Sequence, residues 1–321
     1  MRKRIRLHQV RVGMFIEELE GPAHQLPRRS GRFLVSSTKD LDRMLKSHAM
    51  SVIIDTRKGL DVDRDTQRSN VFDTTRFETH LATKFTVAEI ALARKTIEET
   101  RPHIRQVLSS ARMEGVFKLD AATQAVEQLM VETTTNPGAL IGVAKLKRAD
   151  EETFIHCLAV SALMITFGRT LGLEDGPVRH LGLGGLVHDL GKMTLPVALL
   201  RKAGQLSPPE FAVIRTHPER GYQLLANTAE IPAPVLDICL YHHEKFDGSG
   251  YPRGLAGEQI PYPARIASIC DVYDALTSVR PYKPALSQAE ATDVMLRSRN
   301  HFDPDLLRRF VSEVIISGAI C

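Results

Sequence analysis

The adjacent pair His188-Asp189 constrains the fold more than any other feature, because it directly follows the apolar run LGLGGLV. Such a run enters the interior of a domain, where an ionised pair is costly unless it is paired or coordinated. A divalent metal meets that need, since neutral imidazole and carboxylate are both good ligands. A buried His–Asp hydrogen bond beside a solvated Lys192 is the alternative, and this segment alone does not decide between the two.

The part of the chain that surrounds this pair has helical patterning. From about Phe85 onward, apolar residues recur at spacings of three and four, as on one face of a helix. Two later helix starts have the form of a capping box, with Ser207 followed by Glu210 and Ser287 followed by Glu290. Strands and helices do not alternate there. The pattern therefore predicts a helical bundle.

The first sixty residues have a different pattern. IRLHQVRVGMFIEEL and RFLVSST alternate as strands do, and SVIIDT is a β-branched strand candidate. Between them, DLDRMLKSHA predicts a short helix capped by Asp40. We therefore expect a mainly α chain: a small α+β domain over residues 1–62, a polar linker over 63–84 and a helical domain over 85–321.

Composition limits the classes of protein and of partner. The longest apolar runs are interrupted and fall short of the roughly 20 residues that span a bilayer, and the basic N-terminus lacks the apolar core of a secretion signal. The four cysteines have no paired spacing, which predicts a reducing, cytoplasmic compartment. A net charge of +4 suits a protein that handles anions without coating a nucleic acid polymer.

Histidine and carboxylate recur together along the helical part. Glu152 and His156 are four residues apart, so on a helix both leave the same face; an exposed glutamate and a core histidine would explain them equally. His217 precedes a proline and carries little weight alone. Lys192 follows His188 by four residues, where its ammonium would meet a phosphate oxygen at the open side of a metal.

The stretch YHHEKFDGSGYP adds two adjacent histidines, His242 and His243. Neighbours on a helix point about 100° apart, so we expect each to serve a different metal of a multinuclear site. Asp271, on the predicted helix ARIASICDVYDALT, offers a further carboxylate. Facing helices of a bundle commonly assemble such a core. The glycines of the stretch predict a tight loop, for which an ordinary turn is a sufficient explanation.

Taken together, HDLGK, HHEKFDGSGYP and DVYDALTSVRPYK resemble the HD-GYP family, a branch of the HD-domain metal phosphohydrolases. The resemblance runs from about Glu151 to Asp303, and Lys245 stands where the family commonly has arginine. The first sixty residues resemble a small α+β module often found in front of HD-GYP domains. The resemblance implies a bacterial cyclic di-GMP phosphodiesterase, acting in second-messenger signalling, that yields pGpG and by further hydrolysis GMP.

The resemblance also implies a set of site residues. Asp189 would bridge two metals and Lys192 would assist catalysis; Glu152 matches the extra carboxylate of three-metal members. The positions that match metal ligands are Glu152, His156, His188, Asp189, His217, His242, His243 and Asp271. The positions that match substrate contacts are Lys192, Arg280 and Lys283, with Gly250 and Tyr251 in the loop bordering the pocket. Tyr251 either stacks on guanine or packs locally.

The implied cofactors are two or three divalent metal ions. The ligand set has imidazoles and carboxylates but no thiolate, so iron or manganese fits it at least as well as zinc. The resemblance also implies iron or manganese. Paired metals would activate water and clamp a phosphate oxygen, while Lys192 and Arg280 neutralise charge. Two other functions stay open: a catalytically silent cyclic di-GMP receptor, and a hydrolase of a hybrid cyclic dinucleotide. A homodimer through the leading helices and protein signalling partners are further predictions.

Overall fold

The computed structural model divides the chain into two compact units, Met1–Ser69 and Asn70–Cys321. The structure describes residues 2–6, 10, 12–20, 32–37, 40, 51–60, 81–146, 152–200, 202, 205–278 and 285–320. For residues 3–6, 19, 20, 51, 152 and 299 it describes the backbone but not the side chain.

The first unit contains an antiparallel sheet of four strands. The strands are β1 (Arg2–Arg6), β2 (Phe15–Glu20), β3 (Phe33–Leu34) and β4 (Ser51–Asp55). Their spatial order is β1-β4-β2-β3, so β4 pairs with both β1 and β2. The side chains of Ile16, Val52 and Ile54 on these strands are buried, which explains the alternating and β-branched patterns of the segments.

The N-terminal cap of the helix predicted after β3 lies earlier than expected. The hydroxyl of Ser37 accepts the Asp40 backbone N–H at 3.2 Å, and the Asp40 carboxylate accepts the Ser37 N–H at 3.1 Å. These reciprocal bonds are those of a capping box, so Ser37 is the cap and Asp40 is its third-position partner. The prediction of Asp40 as the cap was wrong, and the rest of that helix lies outside the described residues.

The second unit is helical, as the sequence predicted. Its helices are α1 (Val87–Met113), α2 (Leu119–Thr135), α3 (Pro137–Lys145), α4 (Glu152–Thr170), α5 (Asp175–Val187), α6 (Val197–Leu200), α7 (Pro208–Ile214), α8 (His217–Ala226), α9 (Ala233–Tyr241), α10 (Tyr262–Thr277), α11 (Gln288–Arg297) and α12 (Pro304–Arg309). Shorter 3-10 segments are Leu190–Thr194, Gly257–Gln259 and Arg299–His301, and a π-helical segment is Phe310–Ile316.

Local sequence explains where several of these helices begin. The Glu210 carboxylate accepts the Ser207 N–H ahead of α7, and the Ser287 hydroxyl accepts the Glu290 N–H ahead of α11. Both predicted capping boxes are therefore present. Residues 81–84, by contrast, form a helical turn whose Leu81 is buried in the core, so the segment interpreted as a linker does not extend to residue 84.

Helix α4 lies at the centre of this unit and packs against α3, α5 and α10. Among the described residues, its segment Thr153–Thr170 is long and apolar enough to cross a membrane, but 83% of that segment is buried inside the protein. Burial on all sides is the property of a core helix. Because α4, α5 and α10 are neighbours, polar side chains on their facing sides meet inside the bundle.

Candidate metal centre

Four segments of the helical unit bring histidine and aspartate side chains to one buried place. Their ligand atoms form two groups, and within each group all the ligand atoms lie within 4.8 Å of one another. One group is His156, His188 and Asp189; the other is Asp189, His217, His242 and His243. His156 lies on α4, the pair His188-Asp189 follows α5, His217 begins α8, and the two adjacent histidines follow α9.

The backbone orients three of these imidazoles. His188 Nδ1 contacts the Gly185 carbonyl at 2.8 Å, His217 Nδ1 contacts the Ile214 carbonyl at 2.7 Å, and His242 Nδ1 contacts the carbonyls of α9 at 3.1 Å. A carbonyl oxygen only accepts hydrogen bonds, so in a neutral ring Nδ1 carries the proton. The three Nε2 atoms then have free lone pairs, as metal-binding imidazoles require.

The carboxylate of Asp189 lies between the two groups. Its Oδ2 is 3.6 Å from His156 Nε2 and 3.5 Å from His188 Nε2, while its Oδ1 is 3.2 Å from His217 Nε2 and 3.8 Å from His242 Nε2. Each oxygen therefore faces a different pair of imidazoles. Among the described residues, the buried atoms His188 Nε2 and Asp189 Oδ1 find no hydrogen-bond partner, and an additional positive centre would satisfy both.

Asp271 and Asp274, one turn apart on α10, hold His156 from two sides. Asp271 Oδ1 is 3.2 Å from His156 Nε2, and Asp274 Oδ2 is 2.7 Å from His156 Nδ1. Asp274 in turn accepts the Ser278 hydroxyl at 2.9 Å. A carboxylate on the outer nitrogen of a histidine fixes the ring orientation and raises its basicity as a ligand. Asp274 thus has a role that the sequence analysis did not assign, although its spacing of three from Asp271 signals it.

The electrostatics of the centre reflect these contacts. Burial lowers the pKa of His156, but the hydrogen bonds with Asp271 and Asp274 outweigh burial and raise the pKa to about 9. Burial lowers the pKa of His242 to about 4, so this ring is neutral at pH 7. Burial would raise the pKa of the Asp189 carboxyl, yet the positive charge of nearby Lys192 lowers it, and the pKa lies well below its usual range. The centre thus offers ionised carboxylates together with neutral imidazole.

Close packing at Gly191 brings α8 against the turn after Asp189. A Cβ atom at this position would collide with the carbonyl oxygen of His217 and the backbone nitrogen of Gly221. Only glycine permits this approach, which places His217 beside Asp189. Lys192, next in sequence, lies in the 3-10 segment rather than on a continuing α-helix, and its Nζ contacts Asp189 Oδ2 at 2.5 Å.

The adjacent histidines differ from the arrangement expected on a helix. Helix α9 ends at Tyr241, so His242 is its C-cap residue and His243 lies in the following turn. Their ring centroids are 4.1 Å apart and both rings belong to the same group of four ligand atoms. The two histidines therefore do not sit as helical neighbours 100° apart, and the assignment of each ring to a different metal stays a prediction.

The loop after His243 is fixed by a buried glutamate. Glu244 Oε1 accepts the backbone N–H groups of Arg253 at 2.6 Å and Gly254 at 3.1 Å, and its Oε2 accepts that of Leu255 at 3.1 Å. A Cβ atom at Gly250 would collide with the Glu244 backbone, so this glycine is needed for the close approach. Glu244 was not predicted as a functional residue from the sequence, where its only signal is an acidic residue directly after the paired histidines.

Tyr251 packs locally in this structure. Its ring stacks on His243 with a centroid distance of 4.8 Å, and the Arg215 guanidinium carbon lies 4.6 Å from the ring centroid. These local contacts are present without a bound nucleotide, and stacking of Tyr251 on guanine stays a prediction. Arg280 and Lys283, the other predicted phosphate contacts, lie outside the described residues, as does the side chain of Glu152, which begins α4.

Comparison with known families matches both parts of the chain. The model for the HD domain matches residues 124–306, and that for a domain of unknown function (DUF3391) matches residues 2–122. A solved structure of an HDG"Y"P protein from Bdellovibrio bacteriovorus has a TM-score of 0.59 at 19% identity, covering 99% of this chain and 100% of its own. At that identity the likeness establishes the fold.

Curated relatives are cyclic dinucleotide phosphodiesterases. A cyclic di-GMP phosphodiesterase of Pseudomonas aeruginosa is 40% identical over 319 residues, covering 98% of this chain and 77% of the relative. A cyclic di-GMP phosphodiesterase response regulator of Xanthomonas campestris is 44% identical over 42% of this chain and 36% of its own length. A 3′3′-cGAMP-specific phosphodiesterase of Vibrio cholerae is 40% identical over 44% of this chain and 33% of its own length.

Proposed function

This chain belongs to the HD-GYP family of HD-domain proteins, and we propose that it is a metal-dependent phosphodiesterase that hydrolyses cyclic di-GMP to linear pGpG. One observation carries the proposal. The Nε2 lone pairs of His188, His217 and His242 converge with both oxygens of Asp189 at a buried place. The name of the Pseudomonas aeruginosa relative supports the choice of substrate, because that relative aligns with nearly the whole chain.

The residues fit a site for two or more divalent metals. The proposed ligands from the described residues are His156, His188, Asp189, His217, His242, His243 and Asp271. Glu152, one helical turn before His156, is proposed to complete a third position. Divalent metals at such a site supply a nucleophilic water near neutral pH and a positive charge for the phosphate.

The donor set suits iron or manganese at least as well as zinc, and we propose iron or manganese. The two groups consist of imidazole nitrogens and carboxylate oxygens, ligands that suit these metals. Three buried cysteines, Cys157, Cys239 and Cys270, lie near the proposed ligands in sequence. Burial raises the pKa of the Cys239 and Cys270 thiols, so both stay protonated at pH 7. A protonated thiol is a poor metal ligand. Zinc, which is often held by thiolates, is therefore not specially favoured.

The chain's own charged residues are proposed to bind and orient the phosphodiester. Lys192 is 30% exposed, so its ammonium reaches the outer side of the centre while it contacts Asp189. Its positive charge is retained, because the Asp189 carboxylate outweighs burial and raises the pKa of Lys192. A fixed cation at this position stabilises the charge that develops on a phosphate oxygen. Arg280 and Lys283 are proposed to contact the same substrate.

The test is purification without exposure to air, metal analysis, and incubation with cyclic di-GMP and 3′3′-cGAMP in parallel. We expect the wild type to open cyclic di-GMP preferentially, and His188→Ala to lose both metal and turnover. His103→Ala, which changes a histidine of α1 outside the centre, is the matched control and should retain both. Glu152→Ala should lower the metal content by one ion per chain if a third metal is bound.

Two outcomes would replace the proposal. Binding of cyclic di-GMP to the metal-replete wild type without any hydrolysis would identify a receptor. Preferential hydrolysis of 3′3′-cGAMP would identify a hybrid-specific enzyme, an activity named for one Vibrio cholerae relative. The cytoplasmic location and the homodimer through the leading helices are proposed together with the function, and light scattering of the full chain tests the dimer.

A further inference from the structure

We propose that Arg215 binds the second phosphate of the cyclic dinucleotide, the one that does not lie at the metal centre. This inference rests on the proposed function. Nothing in the sequence motifs points to Arg215; its position next to Tyr251 in the structure does. It would make Arg215 a substrate-binding residue that distinguishes a cyclic dinucleotide from a simple phosphodiester.

Two successive ring contacts connect the metal centre to Arg215. The imidazole of His243, a member of one ligand group, stacks on Tyr251 with centroids 4.8 Å apart and an interplanar angle of 29°. The guanidinium carbon of Arg215 lies 4.6 Å from the Tyr251 centroid. Arg215 belongs to the exposed turn between α7 and α8, two residues before His217. The cation is therefore one aromatic ring away from the ligands and open to solvent.

Arg215 has no carboxylate partner among the described residues, whereas neighbouring cations are engaged. Lys192 contacts Asp189, Arg253 pairs with Glu219 at 3.2 Å, and the Arg220 guanidinium donates to the Thr216 hydroxyl at 2.9 Å. A cation–π contact uses the charge of the guanidinium and leaves its five N–H donors available. Arg215 is thus held in position by a ring while its hydrogen-bonding capacity is unused.

The substrate offers such a cation a second anionic group. A cyclic dinucleotide carries two negatively charged phosphates joined through two riboses in one large ring, and hydrolysis at the metal centre engages one of them. The second phosphate remains charged and must be matched outside the centre. The planar fork of arginine donates to two phosphate oxygens at once, which suits this role better than an ammonium. Position and unused donors together assign the second phosphate to Arg215.

The experiment compares two substrates on the same metal-loaded protein. Cyclic di-GMP has two phosphates, and bis(4-nitrophenyl) phosphate has one. The measured quantity is the ratio of kcat/KM for cyclic di-GMP to kcat/KM for the nitrophenyl diester. For Arg215→Ala we expect this ratio to fall about ten- to a hundredfold, because one charge-assisted contact is lost. The fall should come mainly from a higher KM for cyclic di-GMP. Arg215→Lys should recover part of the ratio, and metal content should match the wild type.

Arg220→Ala, which removes an exposed arginine five residues away, is the matched control and should leave the ratio within about twofold of the wild type, as surface substitutions usually do. Equal losses on both substrates would overturn the proposal and show that Arg215 acts only through the position of Tyr251. Wild-type kcat/KM on both substrates would also overturn it. If the wild type cleaves the nitrophenyl diester but not cyclic di-GMP, the proposed function fails; equilibrium binding of cyclic di-GMP to wild type and Arg215→Ala then decides the present proposal separately.

Discussion

Each unit of the chain buries a carboxylate among several nitrogen-bearing side chains, and the two sites differ in what those nitrogens can do. In the N-terminal unit, Glu17 is 4% exposed and is contacted by Arg32 at 2.7 Å, Lys58 at 2.7 Å and Arg2 at 3.4 Å. All three partners are cationic donors. In the helical unit, Asp189 is 4% exposed and faces imidazole Nε2 atoms, three of which carry lone pairs in the neutral ring.

The difference shows how a structural ion cluster is distinguished from a site. The protein itself supplies the positive charge and the hydrogen bonds that Glu17 needs, so that cluster is complete. Around Asp189, Lys192 supplies one donor, but most of the surrounding atoms are acceptors that need a positive centre between them. A buried carboxylate surrounded by acceptors therefore indicates a metal centre.

The sharpest test of this contrast within the helical unit is Asp274→Asn. The substitution removes the charge that holds His156 Nδ1 while leaving the proposed ligands unchanged. Loss of such an outer carboxylate typically lowers metal affinity or activity about 10–100-fold. Metal affinity, measured by titration of the metal-free chain, should fall in this range. Asp293→Asn, an exposed carboxylate on α11, is the control; an equal effect there would contradict the assigned role of Asp274.

A smaller effect is expected from Glu244→Gln, which changes the loop and leaves the metal ligands in place. The amide keeps one acceptor oxygen, so one of three backbone N–H bonds loses its partner, at a cost of about 1–3 kcal/mol in loop stability. We expect a higher KM with metal content unchanged, and faster tryptic cleavage after the exposed Arg253.

Glu258→Gln, in the exposed part of the same loop, should alter neither KM nor tryptic cleavage. Loss of metal from Glu244→Gln would show that the glutamate supports the centre and not only the loop.

The smallest effect on the site is expected from Glu17→Gln in the other unit. The hydrogen bond from Lys58, followed by the charges of Arg32, Lys58 and Arg2, holds the pKa of Glu17 below its ordinary value. A lowered folded-state pKa stabilises the unit at pH above the unfolded value of about 4.5 and loses that contribution as pH falls through the folded pKa. Hydrogen exchange of β2 and β4 amides in the full chain should therefore be faster in the variant at pH 7.

At low pH, where Glu17 itself becomes protonated, the exchange rates of wild type and variant should approach each other. Metal content and turnover should equal those of the wild type throughout. A fall in either would mean that the two clusters are not independent in the way the comparison assumes.

The sequence predicted the helical class, both capping boxes and the residues that converge on the centre, because apolar spacing, cap chemistry and motif spacing are local properties. It misplaced the cap at Asp40, since serine three residues earlier offers the same hydrogen bonds. It also assumed helical geometry at His242 and His243, where the helix has just ended. Asp274 and Arg215 act through contacts with residues distant in sequence, and Glu244 acts through backbone N–H groups nine to eleven residues further on; only the folded structure shows these contacts.

The most direct test of the account is a titration of the metal-free chain with Mn²⁺, with free Mn²⁺ followed by electron paramagnetic resonance, for wild type, Asp189→Asn and Glu17→Gln. The account predicts at least two equivalents bound by wild type and by Glu17→Gln, and a loss of binding in Asp189→Asn, because this carboxylate faces both groups of imidazoles. Full stoichiometry and unchanged affinity in Asp189→Asn would contradict the claim that the buried histidine and aspartate cluster is a metal centre.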